Sequence, residues 1–330
     1  MRRRKYLKTI AAGTTVAALA GCTSDGDDEG ANGNGNGNGN GNGNENGTGN
    51  GNGNGNGNGN GNGNGDENGT GNGDMENGNG NGDENPYGLN DGVVTIGSDI
   101  PYKPFEYRTE DGDLTGFDPA MAEAIFVDEM GLEYEFQKTA WDGIIPSLNN
   151  GNFRVIMSAM TINDTRDEEV DFSDPYFTAY QTVIVLENSD IESKEDLQGE
   201  SVGVQKGTTG EGAAEQLKEE FDGDLEIQSY DQITGAFDAL INNQVVAVVN
   251  DNTVNAEFAN ENDGIVFLEG EGAATEAGQD APDYLTLTIE NYGIAFREDD
   301  DEFLEAVNEA LAAVKESGTY DEIYNEYFAG

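Results

Sequence analysis

The sequence predicts an α/β fold with parallel β-sheets, preceded by a long segment without a core. From residue 92 onward, short apolar runs typical of buried strands alternate with amphipathic helical patterns, and this βαβαβ order occurs twice. Residues 23–90, in contrast, are a nearly unbroken alternation of Gly and Asn. Because such a segment cannot bury a core, we expect residues 91–330 to contain the whole folded part.

The first 22 residues have the features of an export signal. The paired arginines Arg3 and Arg4 precede an apolar run of about twelve residues, which is too short to span a bilayer. The run ends in Leu-Ala-Gly-Cys22, which resembles the lipobox of exported lipoproteins, and Cys22 is the only cysteine of the chain. We therefore expect a twin-arginine lipoprotein signal with lipidation at Cys22. An ordinary cleaved signal is the alternative.

Residues 23–90 are predicted to be a disordered tether between this anchor and the folded part. The sequons at Asn46 and Asn68, and a third at Asn163, permit glycosylation outside the cell. Sequons arise easily by chance in Asn-rich sequence, so their use stays open.

Composition excludes several classes of function. The chain has 66 acidic and 15 basic residues, no histidine and one cysteine, with a formal net charge of −51. So acidic a surface argues against nucleic acid as a partner and is typical of a halophilic protein, although an acidic binding function is an alternative. Without histidine or a second cysteine, histidine-based catalysis, disulfides and the usual zinc sites are excluded. No calcium-loop spacing is present, and we predict no metal site and no cofactor, although with so many acids a carboxylate metal site is the open alternative.

The first βαβαβ unit begins with the apolar run VVTIGSD, a buried strand that ends at Asp99. A helix is predicted from residue 117, with Asp118 as its N-cap and Pro119 at the first helical position. The unit continues with a strand at 132–136, a short helix opening at Trp141 and a strand at 153–160.

The second unit and the C-terminal part follow the same pattern. Strands are predicted at 201–205, 225–230, 245–249 and 291–296, and helices at 211–221, 232–242, 301–315 and 319–328. Asp231 is the expected N-cap of the helix at 232–242. Residues 269–283 have neither a helical nor a strand pattern.

Four polar loops follow the carboxyl ends of predicted strands. They contain Asp99, residues 158–166, residues 205–209 and Asp251. In parallel α/β sheets, ligands bind in the crevice beyond these strand ends, so the four loops should converge on one site.

Arg166 is the central residue of that predicted site. A guanidinium offers a planar fork of donors that matches the two oxygens of a carboxylate. The turn at 207–210 adds backbone N–H groups at a helix N-terminus, although a glycine-rich turn alone is weak evidence for a site. One cation, two acids and a donor-rich turn suit a small zwitterion.

Several ordered motifs resemble those of family 3 solute-binding proteins, the amino-acid receptors of ABC importers, and the acidic composition and leader are typical of a haloarchaeal lipoprotein type. The motifs are GFDPAMAEAIF, WDGIIPSLNNG, MTINDTRDEEVDFSDPY, VGVQKGTTGE, YGIAF and VNEALAAVKESGTYDEIYNEYF. The resemblance implies a two-lobed, type II periplasmic-binding-protein-like α/β fold with two hinge crossings, near 178–180 and 288–290. It places residues 91–177 and 291–330 in one lobe and residues 178–290 in the other.

The resemblance also implies roles for individual residues. Arg166 would bind the α-carboxylate with help from Thr161 and Thr209, Asp251 would bind the α-ammonium, and Asp99 would contact the side chain or the amine. The complete set of expected ligand-binding residues is Asp99, Tyr102, Trp141, Ala159, Thr161, Arg166, Gln205, Thr208, Thr209 and Asp251. Three of these residues also have an alternative interpretation without ligand contact: Trp141 as a core anchor, Tyr102 as a loop aromatic and Asp251 as one more surface acid.

The function expected from this resemblance is a receptor, lipid-anchored on the extracellular face of the membrane, that delivers a small, polar amino acid to an ABC permease. The protein is expected to be a monomer and not an enzyme. A dehydratase or a ligand sensor on the same fold is the alternative. The sequence does not indicate which amino acid is bound.

Overall fold

The computed structural model describes residues 87–89, 92–279 and 282–328. The predicted export signal, Cys22 and the predicted tether lie outside these residues. The first half contains β1 (Val93–Ser98), β2 (Tyr107–Arg108), β3 (Leu114–Thr115), α1 (Phe117–Ala122), a π-helical continuation (Glu123–Glu129), β4 (Glu133–Lys138), a 3₁₀ turn (Trp141–Gly143), α2 (Ile144–Asn149), β5 (Val155–Ile156), α3 (Asp164–Asp167), β6 (Asp171–Phe172) and β7 (Phe177–Leu186).

The second half contains a 3₁₀ turn (Lys194–Leu197), β8 (Ser201–Gln205), α4 (Thr209–Glu220), β9 (Glu226–Tyr230), α5 (Ile233–Ile241), β10 (Ala247–Asp251), α6 (Asn252–Glu261), β11 (Ile265–Phe267), α7 (Ala273–Glu276), β12 (Thr286–Tyr292), β13 (Ala295–Phe296), α8 (Asp301–Ser317) and α9 (Thr319–Phe328).

Two sheets define two α/β lobes. The sheet of the first lobe has the order β4-β1-β5-β13-β6, and β1 pairs in parallel with β4 and β5. The sheet of the second lobe has the order β11-β7-β10-β8-β9, and β8 pairs in parallel with β9 and β10. The βαβαβ units therefore form parallel pairs as predicted, and antiparallel strands extend each sheet.

Both faces of each sheet are covered, so central strands such as β8 and β10 are nearly continuous apolar runs, whereas the edge strands β4 and β9 are partly exposed. In the second lobe, Val202 and Val204 pack with Leu217 of α4 on one face. On the other face, Phe237 of α5 stacks on Phe258 of α6 with ring centroids 4.0 Å apart.

The chain passes between the lobes along β7 and β12, which lie side by side. These strands pair antiparallel, with Ala179 opposite Glu290 and Tyr180 opposite Ile289. Neither strand was predicted at this length. The run from 177 to 186 contains no turn residues, so the sequence does not show where the first lobe ends and the strand of the second lobe begins. The predicted hinge positions, 178–180 and 288–290, lie on this paired segment and stay a prediction.

Two predicted helix caps are wrong. Helix α1 has Gly116 as its N-cap, and Asp118 is a fully buried carboxyl that accepts hydrogen bonds from the Ala159 N–H (3.0 Å) and the Tyr176 hydroxyl (2.9 Å). Helix α5 has Gln232, not Asp231, as its N-cap. The Asp118 carboxylate therefore hydrogen-bonds to residues distant in sequence instead of capping the N-terminus of α1.

Three strand or loop predictions also differ from the structure. The strand predicted at 153–160 is only Val155–Ile156, because Ala159 has φ 47 and leaves the ladder. The strand predicted at 245–249 is Ala247–Asp251, so Asp251 ends that strand rather than following it. Residues 269–283 include the short helix Ala273–Glu276, although no pattern predicted one.

Candidate ligand-binding site

All ten residues predicted to bind a ligand line one cavity between the lobes. About 370 Å³ of space among these residues is not filled by atoms, part of it open to solvent, and Ser158, Gln181 and Asn250 also line it. The structure thus brings the ten residues together; their role in binding is still a prediction.

Arg166 provides a buried cation on the side of the first lobe. Its backbone N–H donates to the side-chain oxygen of the N-cap Asn163 (3.0 Å), which fixes the short helix α3. Its Nη1 donates to the Thr161 carbonyl (2.7 Å), and its Cζ lies 5.0 Å from the centroid of the Trp141 ring. The residue is 8% exposed, yet it makes no ion pair with any carboxylate of residues 87–89, 92–279 and 282–328.

Asp251 provides a buried acid on the side of the second lobe, at the end of β10. Its Oδ1 accepts a hydrogen bond from Gln181 Nε2 (2.6 Å), and its Oδ2 accepts one from the Tyr102 hydroxyl. Burial raises the pKa of Asp251 to about 7, and the negative charge of Glu290 adds to this shift, whereas the hydrogen bond from Tyr102 and the charge of Arg166 oppose it. Tyr102 belongs to the first lobe, so this hydrogen bond joins the lobes directly.

Asp99 lies at a second acidic end of the cavity. Its Oδ2 accepts from Gln205 Nε2 (2.7 Å), and its Oδ1 accepts from Gln232 Nε2 (3.3 Å). Burial raises the pKa of Asp99, and these two amides oppose the shift. An acid flanked by amides can accept hydrogen bonds from a polar or cationic side chain.

The turn before α4 approaches the cavity through two threonines with different tasks. The Thr208 hydroxyl is the N-cap: it accepts from the Glu211 N–H (3.2 Å) and donates to the Gln205 carbonyl (2.7 Å). The Thr209 hydroxyl accepts from Gln181 Nε2 (3.1 Å) and lies 3.3 Å from the Thr161 hydroxyl of the other lobe. Thr209 is therefore the better placed of the two to contact a ligand.

The loop residues Trp141 and Ala159 complete the wall. Trp141 Nε1 donates to the Gly207 carbonyl (2.9 Å), so this side chain also joins the two lobes. Ala159 adopts a left-handed conformation and turns its backbone N–H away from the cavity, toward Asp118.

Gln181 was not predicted from the sequence, although it contacts both Asp251 and Thr209. It lies inside β7 and is 1% exposed, so the rule that sites follow strand ends could not find it. The available signal was a single amide in the otherwise apolar strand sequence FTAYQTVIVL, since a buried polar side chain needs a partner.

A cavity between two α/β lobes, lined from both sides by charged and hydrogen-bonding groups, is the arrangement of a solute-binding protein. The chain belongs to the bacterial extracellular solute-binding proteins, family 3, which it matches over residues 94–330. The family predicted from the sequence motifs and the two-lobed α/β fold class are thereby confirmed.

Known proteins similar to this chain support the same assignment. A probable histidine-binding protein of Neisseria gonorrhoeae is 33% identical over 238 residues, 72% of this chain and 83% of that protein. An ancestral arginine-binding protein bound to arginine is similar in structure with a TM-score of 0.63 and 36% identity, over 72% of this chain and 98% of that one. An ancestral amino acid-binding protein described as a precursor of cyclohexadienyl dehydratase gives a TM-score of 0.61 and 37% identity, over 72% and 96% of the two chains.

Two features are absent from the described residues. None of their helices combines the length and apolarity needed to cross a membrane. Within the same residues, no group of three or more acidic, histidine or cysteine side chains is arranged to hold a metal ion.

Proposed function

We propose that this protein binds an amino acid between its lobes, with the α-carboxylate on Arg166 and the α-ammonium on Asp251, and delivers it to an ABC permease. The single observation that carries the proposal is the unpaired guanidinium of Arg166 at the cavity wall. Glu290 and Asp251 attract Arg166 through space, but neither forms an ion pair with it. Because a buried charge is costly unless it is paired, this guanidinium is suited to an anionic ligand.

The opposite charges of the site belong to different lobes, which favours a zwitterion over a simple anion. Arg166 follows β5 of the first sheet, and Asp251 ends β10 of the second. A ligand that satisfies both charges has a higher affinity for the arrangement in which the lobes face each other, and it therefore stabilises that arrangement.

The far end of the cavity supports a polar or cationic side chain as the distinguishing feature of the ligand. Asp99 accepts hydrogen bonds there, and Gln205 and Gln232 supply amides that can donate or accept. Histidine and arginine, for which two of the similar proteins are named, have side chains of this kind. We infer that arginine, histidine or a glutamine-like amino acid is the ligand class.

The leader and the Gly/Asn-rich segment support a location on the outer face of the membrane. An export signal that ends at Cys22 would place a lipid there, and residues 23–90 would separate the receptor from the bilayer. Changing Cys22 to Ser should release the protein from membranes; unchanged partitioning would argue against the lipid anchor.

A dehydratase is the second candidate, and one observation favours it. The ancestral protein similar to this chain is described as a precursor of a dehydratase, and Asp251, with a pKa of about 7, is an acid of the kind used in proton transfer. Conversion of a prephenate-like substrate would support the enzyme.

Native mass spectrometry of the purified protein tests the proposed function and identifies its ligand. We expect a bound mass equal to one amino acid, and calorimetry with that compound should give saturable binding without turnover. If the protein binds none of the common amino acids, the proposal is overturned.

A further inference from the structure

Two acidic residues behind the cavity wall have no task in the binding scheme above. Glu106 and Asp118 are both fully buried, and neither lines the cavity. Glu106 Oε1 accepts a hydrogen bond from the Ser158 hydroxyl (2.6 Å), and Asp118 Oδ2 accepts one from the Ala159 N–H (3.0 Å). Two consecutive residues of the wall are thus each held by one buried carboxyl.

The backbone forces these carboxyls together. The Asp118 N–H donates to the Phe105 carbonyl (3.0 Å), which stacks the segment before Glu106 on the start of α1. Gly116 makes this approach possible, because a Cβ at that position would lie 2.0 Å from the Phe105 carbonyl oxygen. The two carboxyls are near enough that each affects the pKa of the other.

The groups that face the pair include no cation. Around Glu106 they are Ser98, Ser158 and the acid Asp99; around Asp118 they are the Ala159 N–H and the Tyr176 hydroxyl. No lysine or arginine of residues 87–89, 92–279 and 282–328 forms an ion pair with either carboxyl. Two buried negative charges without a counter-ion are too costly, so one of the carboxyls must be neutral.

The hydrogen bonds agree with a proton on Glu106. Its Oε2 accepts no hydrogen bond from any described group, so it has room for a proton, and Asp118 is the acceptor for that proton, since a hydrogen bond from Glu106 lowers the pKa of Asp118. Asp118 has an acceptor role on both oxygens, as an ionised carboxyl would. Burial raises the pKa of Asp118 to about 7 and that of Glu106 well above its usual range, which supports the same assignment.

We infer that Glu106 and Asp118 are positioning residues that share one proton at neutral pH and thereby keep Ser158 and Ala159 in place along the cavity wall. The expected effect on ligand binding rests on the proposed function, whereas the expected effect on the stability of the fold does not. Ala159 is the sensitive point, because its left-handed conformation (φ 47) is unfavourable for a residue with a side chain and is held by the bond to Asp118.

The sign of the expected pH dependence follows from the raised pKa values. Folding raises the pKa of both carboxyls, so the stability that depends on their protons is complete below the unfolded pKa near 4 and is lost as pH rises through the folded pKa values. Above neutral pH the shared proton leaves, and repulsion between two carboxylates displaces the wall. A smaller fraction of the protein is then competent to bind, which raises the apparent Kd.

The test compares the wild-type protein with Glu106→Gln from pH 6 to pH 9 in molar salt. Glutamine keeps a carbonyl oxygen for Ser158, is neutral at every pH and offers an amide donor where the shared proton would lie. We expect equal Kd values at pH 6 and a wild-type Kd that is higher by about tenfold at pH 9, corresponding to one pKa unit of coupling. Titration of Asp251 and of the ligand amine changes the Kd of both proteins by the same factor, so it cancels in the ratio of the two Kd values.

Unfolding of the ligand-free proteins by urea gives a second reading that does not need a ligand. The wild type should lose stability relative to Glu106→Gln between pH 7 and pH 9, and Glu110→Gln, an exposed acid nearby, should follow the wild type. If Glu106→Gln does not fold, Asp118→Asn replaces it in both measurements. Parallel pH profiles of wild type and variant would overturn the inference; absence of binding with diverging unfolding profiles would overturn only the proposed function.

Discussion

At the scale of single residues, the site depends on where two charges are buried. Among the described residues, Arg166 forms no ion pair with a carboxylate and Asp251 forms none with a cation, although each is almost fully buried and the two charges attract each other through space. A globular domain optimised only for stability would not keep two such groups, because each costs desolvation free energy that a partner would offset. The ligand is the missing partner in this account, so the two residues have distinct and testable effects.

Replacing Arg166 with Ala should weaken binding strongly without unfolding the protein. The lost charge-assisted hydrogen bonds correspond to about 3 kcal/mol or more, on the order of a 100-fold increase in Kd. The urea midpoint of the ligand-free variant should change little, because removal of a buried charge offsets the loss of the hydrogen bond to the Thr161 carbonyl and of the contact with the Trp141 ring. Arg166→Lys keeps the charge but not the fork and should be intermediate. Calorimetric affinity close to that of wild type for Arg166→Ala would refute the assignment.

Asp251 should make binding depend on pH with a definite sign. Its pKa of about 7 in this structure means that the ionised fraction grows as pH rises, and only the ionised form attracts an ammonium group. The Kd should therefore fall between pH 5 and pH 7 and level off above. Asp251→Asn should bind more weakly and lose this profile. A profile that is unchanged by the substitution would show that another group titrates.

The convergence of the ten residues on one cavity could be predicted because eight lie in loops, in a 3₁₀ turn or at strand ends, and the other two, Arg166 and Thr209, lie on the helices α3 and α4 that follow such loops. Asp118 shows the limit of local sequence. Asp followed by Pro has the local signature of a helix N-terminus, and nothing nearby indicates that Ala159 and Tyr176, more than 40 residues away, take its oxygens. Gln181 shows the opposite limit, since its strand has no loop signal at all.

At the scale of elements, the start of α1 couples the core to the cavity wall. Gly116, with φ 131, brings the helix against the Phe105 carbonyl, and from there Asp118 reaches Ala159. The helix and strand patterns were predictable here, but the close approach of two backbones was not. It depends on a contact between segments that are separate in sequence.

Gly116→Ala should be much more destabilising than a matched glycine substitution in the same region. A Cβ at Gly116 would clash with backbone, so we expect a loss of about 3 kcal/mol or more in the free energy of unfolding. Gly112 also has positive φ, but a Cβ there meets no described atom within 4 Å, so Gly112→Ala should cost only about 1–2 kcal/mol. Equal urea midpoints for the two variants would contradict this view of the turn.

At the scale of the whole molecule, direct contacts join the lobes around the cavity. Tyr102 reaches Asp251, Trp141 reaches Gly207, and Asp99 reaches Gln205. At the rim, Lys103 Nζ of the first lobe lies 2.6 Å from Glu257 Oε1 and 2.5 Å from Glu261 Oε1, both on α6. The sequence predicted two α/β units, but the two-lobed arrangement followed only from the family resemblance, since no single segment encodes it.

Lys103→Ala should weaken ligand binding by destabilising the arrangement with the lobes in contact. Partly exposed ion pairs contribute about 0.2–1 kcal/mol, so the Kd should rise by roughly two- to fivefold at the lowest salt at which the protein stays folded, and less in molar salt. Lys194 is the matched control: it is similarly exposed (35% against 36%), but its partner Glu220 lies in the same lobe. If Lys194→Ala changes the calorimetric affinity equally, the effect of Lys103→Ala does not come from contact between the lobes.

The most direct test of the central claim is a crystal structure of the protein with the amino acid that it retains on purification. We expect the α-carboxylate within about 3 Å of the Arg166 guanidinium and the α-ammonium within hydrogen-bonding distance of Asp251, so that one molecule contacts both lobes. A ligand held by one lobe alone, or by neither of these charges, would contradict the account.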